Sequence, residues 1–104
     1  MGKRALIASR SGPLSPWFED TVELLGYDVR DTFAVEAPED GQYNLPPSLV
    51  DSLKERVRET DTALIAVDEL LHPGQAADLR AALSPSAVRD RRGVGWERLA
   101  GGGD

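Results

Sequence analysis

Thr62-Ala-Leu-Ile-Ala-Val67 is the most apolar run in the chain, and its reading decides the fold. It has no polar alternation and stops abruptly at Asp68 and Glu69, so it reads as a central strand covered on both faces. Cover on both faces calls for helices before and after it. Upstream, Leu49, Val50, Leu53 and Val57 fall on one helical stripe while Asp51, Lys54, Glu55 and Arg58 face water. This predicts a helix from about Pro46-Pro47-Ser48 to Thr60. Downstream, Pro73 can begin a helix whose Ala76, Leu79 and Leu83 face inward, and Ala87-Val88 can begin a short last strand.

The N-terminal half repeats the alternation. Arg4-Ala-Leu-Ile-Ala8 is an apolar run that ends in the loop Ser9-Arg-Ser-Gly-Pro13, as a buried strand does. Ser15 before Pro16 fits a helix cap, Gly26 a left-handed stop, and Phe18, Val22 and Leu25 share one face between them. Tyr27, Val29, Phe33 and Val35 alternate with Asp28, Arg30, Thr32 and Ala34, a strand with one mostly polar face. Asp31 falls on the apolar side, so this strand is expected at a sheet edge. Ala37 to Asn44 supplies Pro, Glu, Asp and Gly and reads as a surface loop, the chain's most mobile segment. The resulting order, β-α-β-α-β-α-β, predicts an α/β fold with a small, mainly parallel four-stranded sheet flanked by about three helices.

With 104 residues there is enough chain for one domain, taken as 1–100, with 101–104 as a disordered glycine tail. No run approaches the roughly 18 apolar residues that cross a bilayer. Met1 to Ala8 lacks a signal-peptide core, so a cytoplasmic location and no membrane partner are expected. The absence of cysteine excludes disulfides and thiolate chemistry, and His72 is the single histidine, which argues against a conventional zinc site. No cofactor is expected. Eighteen acidic against twelve basic residues, a net charge of −6, argue against wholesale electrostatic binding to nucleic acid. Ten of the twelve basic residues are arginine. That bias fits either a salt-in halophile or a GC-rich genome without salt adaptation.

Ligands of open parallel sheets gather outside the carboxyl ends of the strands. Those ends carry Ser9, Arg10 and Ser11, then Asp68 and Glu69, then Asp90 and Arg91, with His72 nearby. Acid-base chemistry is compatible with this set, but loops after strands are polar in every α/β protein. Ser15 reads as a cap rather than a nucleophile, and His72, before Pro73, as a turn or cap residue. Arg89-Asp-Arg-Arg-Gly-Val-Gly-Trp-Glu-Arg98 is the most distinctive stretch. Arg89, Arg91, Arg92 and Arg98 with Trp96, joined by Arg10, could hold phosphates and stack on bases. The same segment could instead be solvated, with Trp96 packed on the sheet and arginines paired to Asp90 and Glu97.

The sequence resembles the N-terminal domain of HflX-type GTPases over nearly its whole length. The resemblance rests on Gly26-Tyr-Asp-Val29, on Tyr43-Asn-Leu45 with Val50-Asp-Ser-Leu53, on Asp61 to Asp68 with Leu71-His-Pro-Gly-Gln75, and on Val88-Arg-Asp-Arg91. It departs where Pro46-Pro-Ser-Leu49 replaces the family's Gly-x-Gly-Lys loop. The family's helical linker and GTPase domain do not follow, and no P-loop occurs, so GTP binding is not expected. In the family this domain helps bind the large ribosomal subunit. The resemblance therefore implies a non-catalytic binding domain directed at ribosomes or rRNA. A protein-interaction module is the alternative, and a small enzyme using the strand-end crevice is third. Oligomeric state is left open.

A charge of −6 on a small body repels itself, and salt screens that repulsion. The melting temperature should therefore rise from low to molar potassium chloride; a flat or falling trend removes the argument for salt adaptation.

Overall fold

The computed structural model describes residues 2–101. In chain order the elements are β1 (Arg4–Ser9), α1 (Pro16–Leu24), β2 (Asp28–Ala34), α2 (Pro47–Glu59), β3 (Thr62–Val67), α3 (Pro73–Leu83), β4 (Ala87–Arg89) and α4 (Arg91–Gly101). The four strands form one sheet in the order β2-β1-β3-β4, and every pairing is parallel. The α/β fold expected from the sequence is thus present, with β3 at the centre and β2 at an edge.

Strict burial of both faces of β1 and β3 divides the core in two. On one side Leu6, Ala8, Ile65 and Val67 pack against Leu49, Val50 and Leu53 of α2 and Leu79 and Leu83 of α3. On the other, Ala5, Ile7, Leu64 and Ala66 meet Phe18 and Val22 of α1 and Val94 of α4. Each crossover helix lies on the sheet because its apolar stripe has nowhere else to be dry. Gly26 ends the α1 segment with φ +97°, a conformation that glycine adopts without a Cβ penalty.

Three expectations need correction. Four helices flank the sheet instead of about three, because the arginine-rich C-terminal segment is α4. Gly93, Gly95 and Gly101 weaken helix propensity by about 1 kcal/mol each relative to alanine, which masks this helix in the sequence. Tertiary contacts decide it, since Val94 is fully buried and the Asp90 carboxylate caps the first turn by accepting the Gly93 N–H at 2.8 Å. Gly101, assigned to a disordered tail, is the last residue of α4, and 102–104 lie outside the described residues.

The second concerns one of the two readings of the C-terminal segment, since Trp96 points to solvent and does not pack on the sheet. The third concerns the alternation in β2. The β1–β2 ladder shifts register between Ala5 and Leu6, pairing Ala5 with Val29 but Leu6 with Asp31. Arg30 is the extra residue, so Val29 packs with the α1–α4 layer and Phe33 with the α2–α3 layer. Asp31 then faces α2, where it pairs with Arg56. Hydrogen bonding from Arg56 holds its carboxyl below the ordinary aspartate range.

Leu53 lies at 0% exposure beneath β1 and β3. Leu53→Ala should cost about 2–5 kcal/mol in urea unfolding, while Trp96→Ala on the outer surface should change stability little. Similar losses for the two would contradict this division between core and surface.

Candidate functional site

The chain leaves β1 for β2 on one side and returns to β3 on the other. The switch point of the sheet therefore lies between the carboxyl ends of β1 and β3, where open α/β folds bind ligands. Here that point is filled from within. Glu69 is buried, and its Oε2 accepts hydrogen bonds from Ser9 Oγ at 3.1 Å, the Arg10 N–H at 3.0 Å, the Ser11 N–H at 3.1 Å and the Ser11 hydroxyl. Arg10 Nη2 lies 3.9 Å from Oε1. Burial alone would push this carboxyl up, but the Ser11, Arg10 and Ser9 hydrogen bonds and the Arg10 charge outweigh it and hold it below the usual glutamate range.

The neighbouring carboxylates are equally committed. Asp68 is buried and accepts the Ser15 N–H at 2.8 Å on one oxygen and Arg91 Nε at 2.6 Å on the other. Ser15 thus stands at the head of α1 but makes no cap with its own side chain. Asp90 caps α4 with one oxygen, and the other takes the Leu71 N–H at 3.0 Å. Together Asp68, Glu69 and Asp90 tie the loops after β1, β3 and β4 into one rigid edge. His72 stands apart, with an exposed ring 3.9 Å from Glu39.

The residues of the Leu71 to Gln75 motif do similar work. Gln75 is buried, accepts the His72 N–H at 3.0 Å, and donates to Glu39 Oε2 at 2.9 Å and the Asp40 carbonyl at 3.2 Å. Asn44, at φ 68°, accepts Arg10 Nε at 2.7 Å. These bonds anchor the surface loop ahead of α2.

The arginines divide into paired and free. Arg10 is held by Asn44, Glu39 and Glu69, Arg89 Nε lies 3.3 Å from Glu97, and Arg91 is bound to Asp68. Arg92 donates to the Leu71 carbonyl at 3.0 Å but keeps most of its guanidinium in water, 3.8 Å from Asp90. Arg98 is exposed and has no ion-pair partner among the described residues. Thus α4 presents Arg92 and Trp96 outward, Arg98 is exposed on the Val94 side of the helix, and the positive charges of Arg10, Arg89 and Arg91 are locally compensated.

Sequence reasoning missed the outer face beside them. Trp17 and Leu24 of α1 are 48% and 68% exposed, and Trp96 and Leu99 of α4 are 75% and 72% exposed. Helices α1 and α4 pack side by side, so these four side chains lie on one layer. The available signal was an excess of apolar residues in α1, where Phe18, Val22 and Leu25 already fill the inward stripe.

What the fold and its closed switch point define is a small doubly wound α/β domain. No protein-family model and no curated protein sequence matches the chain. Solved structures do. A GTP-binding protein from the hyperthermophilic archaeon Sulfolobus solfataricus, in complex with GDP, matches with TM-score 0.72 and 19% identity, over 94% of this chain and 30% of that one. A variant of SsGBP matches with TM-score 0.75 and 19% identity, over 94% and 33%. The chain spans about a third of the length of these proteins, and the likeness is one of fold.

Because the Glu69 carboxyl is held below its unfolded value, its stabilisation is present above that value and is lost as pH falls through the folded one. Glu69→Gln should cost about 1–3 kcal/mol near neutral pH by leaving buried donors poorly matched. The gap to wild type should narrow on acidification. A gap that stays constant in denaturant melts down to about pH 3 would mean that the ionised carboxylate is not what holds this edge.

Proposed function

We propose that this chain is a non-catalytic binding domain that docks on a macromolecular partner through the α1–α4 layer. The observation that carries this reading is the exposure of Trp17, Leu24, Trp96 and Leu99 on two adjacent helices. Large apolar side chains grouped on one outer layer mark an interaction surface, and tryptophan is enriched among the residues that dominate binding energy. The strand-end crevice supports a structural role instead, since both oxygens of Asp68 and of Asp90 and the Oε2 of Glu69 are hydrogen-bonded to loop amides, hydroxyls or arginine. An enzyme built on that crevice would have to break the contacts that hold the loops.

A second reading is contact with the large ribosomal subunit or rRNA. Its support is the resemblance to the N-terminal domain of HflX-type GTPases, the fold shared with GTP-binding proteins, and the exposed Arg92, Trp96 and Arg98 of α4. The paired state of Arg10, Arg89 and Arg91 weighs against a broad phosphate-binding surface. Any such contact would therefore combine two arginines with stacking on Trp96.

Co-sedimentation with large ribosomal subunits at native salt, beside affinity capture of proteins from the source cells, separates the readings. Protein docking predicts that Trp17→Ala and Trp96→Ala each abolish capture at least tenfold while Arg92→Ala/Arg98→Ala has a smaller effect. Ribosome contact predicts that wild type pellets, and that the double arginine variant lowers the slope of log affinity against log salt by about 2. Full retention of every interaction by both tryptophan variants would overturn the α1–α4 face as the docking site.

A further inference from the structure

The outer surfaces of α1 and α4 carry opposite charge on a shared apolar ground. On α1, Trp17, Asp20 and Leu24 stand at spacings of three and four and form one stripe, with Glu19 and Glu23 beside it. None of these three acids has an ion-pair partner among the described residues, and Asp20 and Glu23 are exposed. On α4, Arg92, Trp96 and Leu99 form the equivalent stripe, while Arg98, exposed and four residues after the buried Val94, lies off it. One stripe therefore reads aromatic, acid, leucine, and the other reads base, aromatic, leucine.

Such a face is complementary to itself. A two-fold axis lying in the contact plane, along the groove between the helices, sets α1 of one copy over α4 of the other and repeats the contact on the opposite side. Trp17 and Leu24 then face the stripe of Trp96 and Leu99, and Asp20, with Glu23 beside it, faces the exposed guanidinium of Arg92. A nucleic acid would be attracted by α4 but repelled by the three adjacent acids, and a uniformly acidic protein would suffer the same conflict. A second copy satisfies both halves at once.

We infer that the α1–α4 layer is an isologous homodimer interface of this chain. The inference rests on the docking reading above and names its partner. Two helices of 9 and 11 residues give a face about 15 Å long and about 20 Å across. That is smaller than the roughly 800 Å² per partner of a standard interface, so the dimer is weak, concentration-dependent and in the micromolar range. In molar potassium chloride screening removes most of the charge contribution, so the tryptophans dominate there.

Sedimentation equilibrium of the full chain across low micromolar to near-millimolar concentration tests this. Wild type should pass from monomer to dimer, with the indole fluorescence shifting to the blue as Trp96 leaves water. Trp96→Ala should remain monomeric at all but the highest concentration. Asp20→Arg and Arg92→Asp should each weaken association at low salt by about tenfold, and the double exchange should restore it. A wild type that is monomeric throughout overturns the dimer, as does a dimer indifferent to Trp96→Ala and to the charge exchange. Circular dichroism of each variant checks that it is folded. The docking reading has its own readout in the capture assay, so a monomer that still loses capture on Trp96→Ala would remove the second copy and leave that reading standing.

Discussion

A carboxylate is costly to bury beside apolar strands unless it is paired, and Glu69 takes four donors from Ser9, Arg10 and Ser11 on Oε2 with the Arg10 guanidinium 3.9 Å from Oε1. This one group joins the loop after β1 to the turn after β3. The Arg91 N–H then binds the Glu69 carbonyl at 3.0 Å, which brings the head of α4 to the same place. Asp68 and Asp90 extend the lattice to Ser15, Arg91, Leu71 and Gly93. The carboxyl edge is therefore a structural knot at the position where related architectures hold ligands.

That closure explains where interaction surface is left. With the switch point bridged and both sheet faces covered, most of the large apolar side chains still open to water among the described residues lie on the outside of α1 and α4. The α2 stripe is spent on Leu6, Ile65 and Val67, and Phe33 is partly covered by α2 with Arg56 lying over its ring, 5.8 Å from the centroid. The α1–α4 layer differs because α1 sends Phe18 and Val22, and α4 sends Val94, to the core while each helix shows further apolar side chains to water. Its stripes are too short to bury much area, which suits a reversible contact better than a permanent one. Arg89 and Glu97 pair across the other flank of α4 and tie it to β4.

The shared architecture with GTP-binding proteins at 19% identity shows how little sequence such a scaffold requires. Within the stretches that resemble HflX-type N-terminal domains, Gln75, Asn44 and Asp90 hold loops and cap helices by specific hydrogen bonds. Their local role is to keep the fold. Function on such a scaffold is decided by side chains that the fold leaves free.

Local chemistry determined most of the architecture. The apolar runs at Arg4 to Ala8 and Thr62 to Val67, the stripe of Leu49, Val50, Leu53 and Val57, and the stop at Gly26 are period and turn signals that a single chain segment contains. Phe18 and Val22 declared the inward face of α1 for the same reason. What only the tertiary structure decided depends on partners far apart in the chain. The flip of β2 about Arg30 comes from register with β1, and the helicity of Arg91 to Gly101 comes from burial of Val94 and capping by Asp90 despite three glycines. The pairing of Arg91 with Asp68 and of Arg10 with Glu69 and Asn44 spans 23 to 59 residues, so basic residues that looked available in sequence are compensated in space. Trp96 went the other way, freed to solvent because its helix turns Val94 inward, and a helix can bury only one side of itself against a sheet.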